Sequence, residues 1–258
     1  MCLLAVAFRV VPGAPLLIGA NRDEFLHRPA VPMTVLRAGN PVVLGGRDEQ
    51  SGGTWLAVNE HGVFAGLTNQ PLGEARDPTR RTRGELPLAL ASYTNARSAV
   101  DAFLSRHEPS SYNGSWLLAG DRDALFFIDF TGLVDPRAVA LAPGLHVLEN
   151  RPLGAPSTKA ERVAGSLGTN LDAEGTVSAL RHVLADHAPD LSAHAESGPK
   201  SSSNCVHLED YGTRSSCIIL CGDDPAVRPR IWAADGPPCT APFVDVSALW
   251  SARSSLPL

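Results

Sequence analysis

A chain of 258 residues, 44% hydrophobic and 19% charged, has enough apolar surface for a substantial core, which excludes disordered and fibrous classes. Its formal net charge of -5 offers no basic footprint for nucleic acid. No apolar run reaches the roughly 18 residues of a membrane span, and the apolar start lacks a basic flank and is broken by Arg9, so no signal peptide is expected and the expected compartment is the cytoplasm.

In chain order, "CLLAVAFRV" and "PLLIGANRD" are apolar runs joined by "PGA", which predicts a hairpin. Residues 42–44 read as a short strand ending in the polar, glycine-rich loop "GGRDEQSGG". Residues 54–59 and 63–68 flank "EHG" as a second hairpin. "EARDPTRRTRG" is a polar loop, followed by predicted helices over 85–93 and 98–107; "NGSWLLAGDRDALFFIDF" is a third hairpin turning at "GDRDA". Residues 145–148 are strand-like, and 157–167 and 176–187 read as helices, the second with Val177, Leu180 and Leu184 on one face. Residues 188–203 are poor in large apolar side chains and predict a mobile loop. "SSCIILCG", "PRIWAAD" and "APFVDVS" return the chain to strands. The elements do not alternate as βαβ units, which predicts an α+β class, antiparallel sheets with helices packed outside, in one domain over 1–258.

The chemistry centres on Cys2. Removal of Met1 ahead of a small side chain would give Cys2 both a thiol and a free α-amino group. The amine titrates near 7.7–8.0 and the thiol near 8.5, so the residue would carry its own base. Such a nucleophile needs a cation to favour the thiolate, a carboxylate to orient the amine and donors where the oxyanion forms. Folding back at "PGA" brings Asn21, Arg22 and Asp23 to the sheet end of Cys2. There Arg22 could lower the thiol pKa and Asp23 could accept from the α-ammonium group, although the same letters fit a turn with a surface ion pair. Asn69 in "GLTNQP" and Asn150 in "VLENRP" each end a strand before a proline, where they could donate to an oxyanion or serve as turn residues.

Taken in order, "MC", "ANRDEF", "GGTWLAV", "GLTNQP", "RGEL", "YNG", "LEN" and "YGTRSSCIIL" resemble the NRDE family, related to the transport and Golgi organization protein 2 group. The resemblance runs from Cys2 to about Leu220. It implies the fold of N-terminal nucleophile hydrolases: a four-layer αββα sandwich of two stacked, mainly antiparallel sheets with helices outside. The same skeleton is similar to that of choloylglycine hydrolase and penicillin V acylase. Their pattern is an N-terminal cysteine, a nearby Arg and Asp, two strand-end asparagines and a late arginine. By position, the resemblance implies Cys2 as nucleophile and Arg22 and Asp23 as the first-hairpin pair. It implies Asn69 as the first asparagine, Asn150 as the second and side-chain oxyanion donor, and Arg214 as the late arginine near the thiolate. The Arg-to-Asp spacing departs from that of the acylases, so either Asn21 or Arg22 could face the thiol.

Other features carry less. Cys217 and Cys221 share a strand face, with Cys205-x-His207 upstream; without a Cys-x-x-Cys spacing the expectation is buried free thiols and no metal. Five cysteines, one left over from full pairing, suit a reducing compartment. Eight histidines show no ligand spacing and receive no role. Arg76, Arg80, Arg81 and Arg83 could grip a substrate anion, but a solvated loop is the simpler reading. Trp55, Tyr93, Tyr112 and Trp116 read as core. Only Lys159 and Lys200 are lysine among 22 basic residues, which looks like coding bias and is assigned no function.

The expected function is therefore a cysteine amidohydrolase or acyltransferase. It would act on a small-molecule amide or peptide-like bond through an acyl-enzyme on Cys2, with no cofactor required. The family resemblance also carries a link to haem handling, which makes a non-catalytic protein that binds or moves haem or another hydrophobic small molecule the rival. A third reading is a tailoring enzyme that removes an acyl or peptidyl protecting group in a biosynthetic pathway.

Overall fold

A computed structural model describes residues 2–71, 76–168, 172–187 and 203–252. The strands in chain order are β1 (Cys2–Val11), β2 (Ala14–Phe25), β3 (Ala30–Arg37), β4 (Val43–Asp48), β5 (Leu56–Asn59) and β6 (Phe64–Asn69). They continue as β7 (Ser115–Gly120), β8 (Leu125–Phe130), β9 (Arg137–Ala140), β10 (Gly144–Leu148), β11 (Tyr211–Cys221), β12 (Arg230–Ala234) and β13 (Val244–Asp245). The helices are α1 (Glu85–Leu90), α2 (Ala96–Arg106), α3 (Thr158–Ser166) and α4 (Ala173–Ala185). The chain forms two compact units, one from 1–28, 143–223 and 230–245 and the other from the remainder.

The first unit is a six-stranded antiparallel sheet in the order β10-β1-β2-β11-β12-β13. Its long central strands are apolar at nearly every position because residues on both faces are buried, Leu3, Ala5 and Leu17 on one and Leu4, Val6 and Leu16 on the other. The β1–β2 turn uses Pro12 followed by Gly13 at φ 73°, the type II arrangement in which only the second central residue needs positive φ. Helices α3 and α4 cover the face of Leu3, Ala5 and Leu17, contributing Val163, Val177, Leu180 and Leu184 to one core. Ser157 caps α3 by accepting from Ala160 N at 3.1 Å, and Asp172 caps α4 by accepting from Gly175 N at 2.7 Å. The seat of α4 on β2 is Gly19, where an added Cβ would lie 2.8 Å from Leu180 Cδ2.

The second unit is a seven-stranded antiparallel sheet ordered β3-β4-β5-β6-β7-β8-β9. Helices α1 and α2 pack on it through Leu86, Leu90, Val100 and Phe103. Asn59 donates to the carbonyls of Ala91 at 2.9 Å and Tyr93 at 2.6 Å, tying the β5–β6 turn to the helix pair. The strand expected over 42–44 continues through the glycines to Asp48, because Gly45 lies against Leu56 O at a place where a Cβ would be 2.4 Å from that oxygen. Strands β3 and β9, absent from the sequence reading, are the two sheet edges, and exposed residues interrupt both patterns.

The stretch expected to be mobile, 188–203, lies outside the described residues except for Ser203, which is buried and donates to His187 O at 3.4 Å. Among the described residues no helix is long and apolar enough to cross a membrane.

Candidate active site around Cys2

Strand β1 starts at Cys2, directly opposite Arg22 of β2. Opposed residues of an antiparallel pair share a face and neighbours along a strand alternate, so Arg22, not Asn21, shares the face of Cys2. Asn21 lies on the helix side, where its Nδ2 donates to Leu184 O at 2.9 Å and Asn204 O at 2.8 Å. It fastens β2 to the end of α4. Arg22 is 6% exposed and its Nη2 stands 3.9 Å from Glu24 Oε2.

The Cys2 backbone N–H donates to Asn150 Oδ1 at 2.9 Å, just past the end of β10. Because an N–H can only donate, the oxygen end of this amide must face Cys2. Asn150 is thus an acceptor of the Cys2 N–H, alongside Asp23, which the sequence reading expected to accept from the α-ammonium group. Burial pushes the Cys2 thiol above its ordinary 9.0; the Asp23 carboxylate raises it further, while Arg22 and the Asp23 main-chain N–H pull it down.

Asp23 sits in a buried polar network. Its Oδ1 accepts from Thr213 Oγ1 at 2.6 Å, and its Oδ2 is 3.6 Å from Lys159 Nζ, both side chains having no exposure. Tyr211 Oη donates to its main-chain oxygen at 2.9 Å. Burial raises the Asp23 carboxyl above its ordinary 3.8, and the Lys159 ammonium is the leading opposing influence. Lys159 comes from the first turn of α3 and was missed in the sequence. Two signals could have found it: it is one of only two lysines, and it lies four residues before Val163 on the buried stripe of that helix.

Arg214 is the extra residue of a bulge in β11, between Thr213 opposite Asp23 and Ser215 opposite Arg22. Its guanidinium donates to the carbonyl of Leu26, and to that of Phe25 at 3.5 Å. Asp23 and Arg22 act on the Cys2 thiol, and the hydrogen bonds of Arg214 go to the chain where β2 ends. Asn69 belongs to the second unit, at the exposed end of β6 opposite Ser115.

Cys217 and Cys221 are buried in β11 and neither is in a disulfide, and burial pushes the Cys217 thiol up to about 12. Three of the loop arginines are engaged locally: Arg80 donates to Tyr112 O at 2.7 Å, Arg83 to Gly114 O at 3.1 Å, and Arg81 pairs with Glu85 at 2.7 Å. Tyr112 and Trp116 are buried, whereas Trp55 and Tyr93 are half-buried.

The sequence pattern of the family described as Transport and Golgi organisation 2 matches residues 1–228. The Transport and Golgi organization protein 2 homolog of Bos taurus is 31% identical over 253 residues, spanning 87% of this chain and 90% of that protein. The Homo sapiens homolog is 30% identical over 254 residues with the same coverage, 87% and 90%. Among solved structures, the C2A mutant of the conjugated bile acid hydrolase from Clostridium perfringens aligns over 95% of this chain and 92% of its own, with TM-score 0.51 and 12% identity. The Caenorhabditis elegans N-acylethanolamine-hydrolyzing acid amidase ortholog covers 88% of this chain and 94% of its own, with TM-score 0.54 and 13% identity. Penicillin V acylase from Agrobacterium tumefaciens covers 95% and 86%, with TM-score 0.52 and 13% identity. At such identity the likeness is one of fold: an α+β chain with two antiparallel sheets and few helices.

Proposed function

This chain belongs to the Transport and Golgi organisation 2 family, and from that premise and the surroundings of Cys2 we propose that it is a cysteine N-terminal nucleophile amidohydrolase or acyltransferase. The observation that carries the reading is the Cys2 nitrogen, held 2.9 Å from Asn150 Oδ1 on a residue that directly faces Arg22. Removal of Met1 turns that nitrogen into an α-amine already aimed by Asn150.

The thiol is disfavoured as a thiolate by burial, so the chemistry begins from the neutral thiol with the amine as base. Sγ attacks the amide carbonyl, the S–C bond forms, and the thiol proton passes to the amine. Collapse of the tetrahedral intermediate breaks the C–N bond, and the same proton leaves on the departing amine. Water, or an acceptor amine, then attacks the thioester and returns a proton to the thiol. Arg22 and the Asp23 N–H steady negative charge on sulfur. Asp23, Thr213 and Lys159 form the buried support behind them. The structural neighbour named as an N-acylethanolamine-hydrolyzing acid amidase supports the class of bond, an amide.

The reading is tested by assaying a panel of N-acyl amino acids and short peptides with the wild-type chain and with Cys2→Ala. The expected result is turnover by the wild type and none above background by the variant. Equal turnover by both overturns the proposal.

A further inference from the structure

Away from Cys2, three segments of the first unit bring soft donor atoms to one point. Cys205 and His207 precede β11, Cys239 follows β12, and His187 follows α4. Cys205 Sγ and Cys239 Sγ are 3.7 Å apart, and His207 Nε2 lies 3.5 Å from the first and 3.1 Å from the second. Ligating atoms of His187, His207 and Cys239 all lie within 4.8 Å of one another, the two imidazoles meeting edge to face with centroids 5.6 Å apart.

These separations have the proportions of a tetrahedral metal site. Zinc–sulfur bonds of about 2.3 Å and zinc–nitrogen bonds of about 2.0–2.1 Å place two sulfurs about 3.8 Å apart and a sulfur and nitrogen about 3.6 Å apart around one centre. The 3.7 and 3.5 Å edges match those values to about 0.1 Å, the 3.1 Å His207–Cys239 edge is about 0.5 Å shorter, and His187, within 4.8 Å of His207 and Cys239, closes in on binding. Nε2 of His207 faces two sulfurs, while a ring nitrogen has one N–H or one lone pair, so hydrogen bonding satisfies only one of these two contacts fully. Nor is it a disulfide, whose sulfurs stand about 2.05 Å apart.

The geometry points to a structural zinc site formed by Cys205, Cys239 and His207, with His187 as the fourth ligand. Two thiolates and two neutral imidazoles suit a borderline-soft, redox-inert cation. Binding releases one proton from each thiol to the buffer, and the two thiolates balance the charge of the ion. The scaffold around the ligands is already tied down: Cys205 N donates to Asp186 O at 2.9 Å and His207 bridges Gly212. Between the two ligands, Val206 N donates at 2.8 Å to Thr213 Oγ1, the hydroxyl that holds Asp23. A zinc ion therefore clips 205–207 to the turn carrying Cys239 and stiffens the segment that supports the Asp23 network.

The test uses the full chain, purified under reducing conditions and titrated with zinc, then with cobalt(II) as a spectroscopic substitute. We expect one zinc per chain, a sulfur-to-cobalt charge-transfer band with the intense visible bands of a tetrahedral site, and a higher melting temperature in zinc than in chelator. His207→Ala and Cys239→Ser, both at accessible positions, weaken binding by more than about a hundredfold, beyond what loss of an outer-shell partner costs. Cys2→Ala leaves the stoichiometry unchanged, which separates this site from the proposed nucleophile. The inference is overturned if zinc binding is substoichiometric, if His207→Ala and Cys239→Ser bind as the wild type does, or if the cobalt spectrum lacks thiolate bands. It is equally overturned if the native protein carries a Cys205–Cys239 disulfide, read as a mass lower by two hydrogens.

Discussion

Replacing Lys159 with Met keeps most of the length of a buried side chain and removes its charge, leaving the Asp23 carboxylate where it is. Lys159 Nζ and Asp23 Oδ2 are 3.6 Å apart with no solvent exposure on either side chain. Breaking a buried pair from one side costs about 3–5 kcal/mol, because the remaining charge is neither solvated nor neutralised. At roughly 2–4 °C per kcal/mol for a chain of this size, the melting temperature falls by about 6–20 °C. The loss also depends on pH. Burial already raises the Asp23 carboxyl above 3.8, and Lys159 is the main influence holding it down, so K159M raises it further. A carboxyl whose pKa is raised on folding binds its proton more tightly in the folded chain. Stability therefore falls as pH rises from the unfolded value towards the raised one and recovers on acidification. Urea unfolding followed by tryptophan fluorescence, with Trp232 in the core of the same unit, is expected to show a deficit that is largest on the alkaline side and narrows on acidification. The double variant D23N/K159M, which removes both charges, is expected to regain most of the loss. A K159M deficit under about 1 kcal/mol at every pH, or one that grows on acidification, refutes the reasoning.

Three further outcomes follow from other parts of the molecule. Asn150→Ala removes an acceptor that aims the Cys2 nitrogen; kcat is expected to fall about a hundredfold, within the range of a misdirected general base, with little change in the melting temperature. Gly19→Ala places a Cβ 2.8 Å from Leu180 Cδ2 and is expected to cost about 1–3 kcal/mol by lifting α4 from β2, measured by urea unfolding. In a chain tagged ahead of Met1, so that the Cys2 nitrogen stays an amide, burial keeps the thiol above 9.0. Iodoacetamide alkylation of Cys2 is then expected to be slow at neutral pH and to rise only in alkali, while Cys217, pushed up to about 12, stays unmodified in the native protein; peptide mass mapping reads both.

How far the sequence reached can be judged residue by residue. The first hairpin was legible from two apolar runs and a Pro-Gly turn, but its register was not: the pairing at the turn, Val11 with Ala14, would set Cys2 opposite Asp23, and a bulge between Phe8 and Val11 brings Arg22 there instead. Strands β3 and β9 were not, because an edge strand buries little and loses the alternating pattern. The extension of β4 was hidden by its glycines, which read as loop but here permit close backbone approach. Arg214 was found as a residue but not as a geometry: the bulge that redirects it to the carbonyls of Phe25 and Leu26 leaves no mark in composition. Lys159 was visible and passed over, since a rare lysine on the apolar stripe of a helix is a buried charge that needs a partner. Of the Cys205, His207, Cys239 and His187 cluster only the Cys205-x-His207 pair was visible, next to the wrong cysteines, because the ligands come from three separate segments whose meeting depends on tertiary structure.

The most direct measurement of the central claim is capture of the acyl-enzyme. The purified chain is mixed with an activated acyl donor, quenched in acid and digested, and the N-terminal peptide is weighed. The account expects a peptide that begins at Cys2, without Met1, and carries one acyl group as a thioester on Cys2 that hydroxylamine removes. An N-terminal peptide that retains Met1 in protein that turns substrate over, or an acyl group found elsewhere while Cys2 stays unmodified, contradicts it.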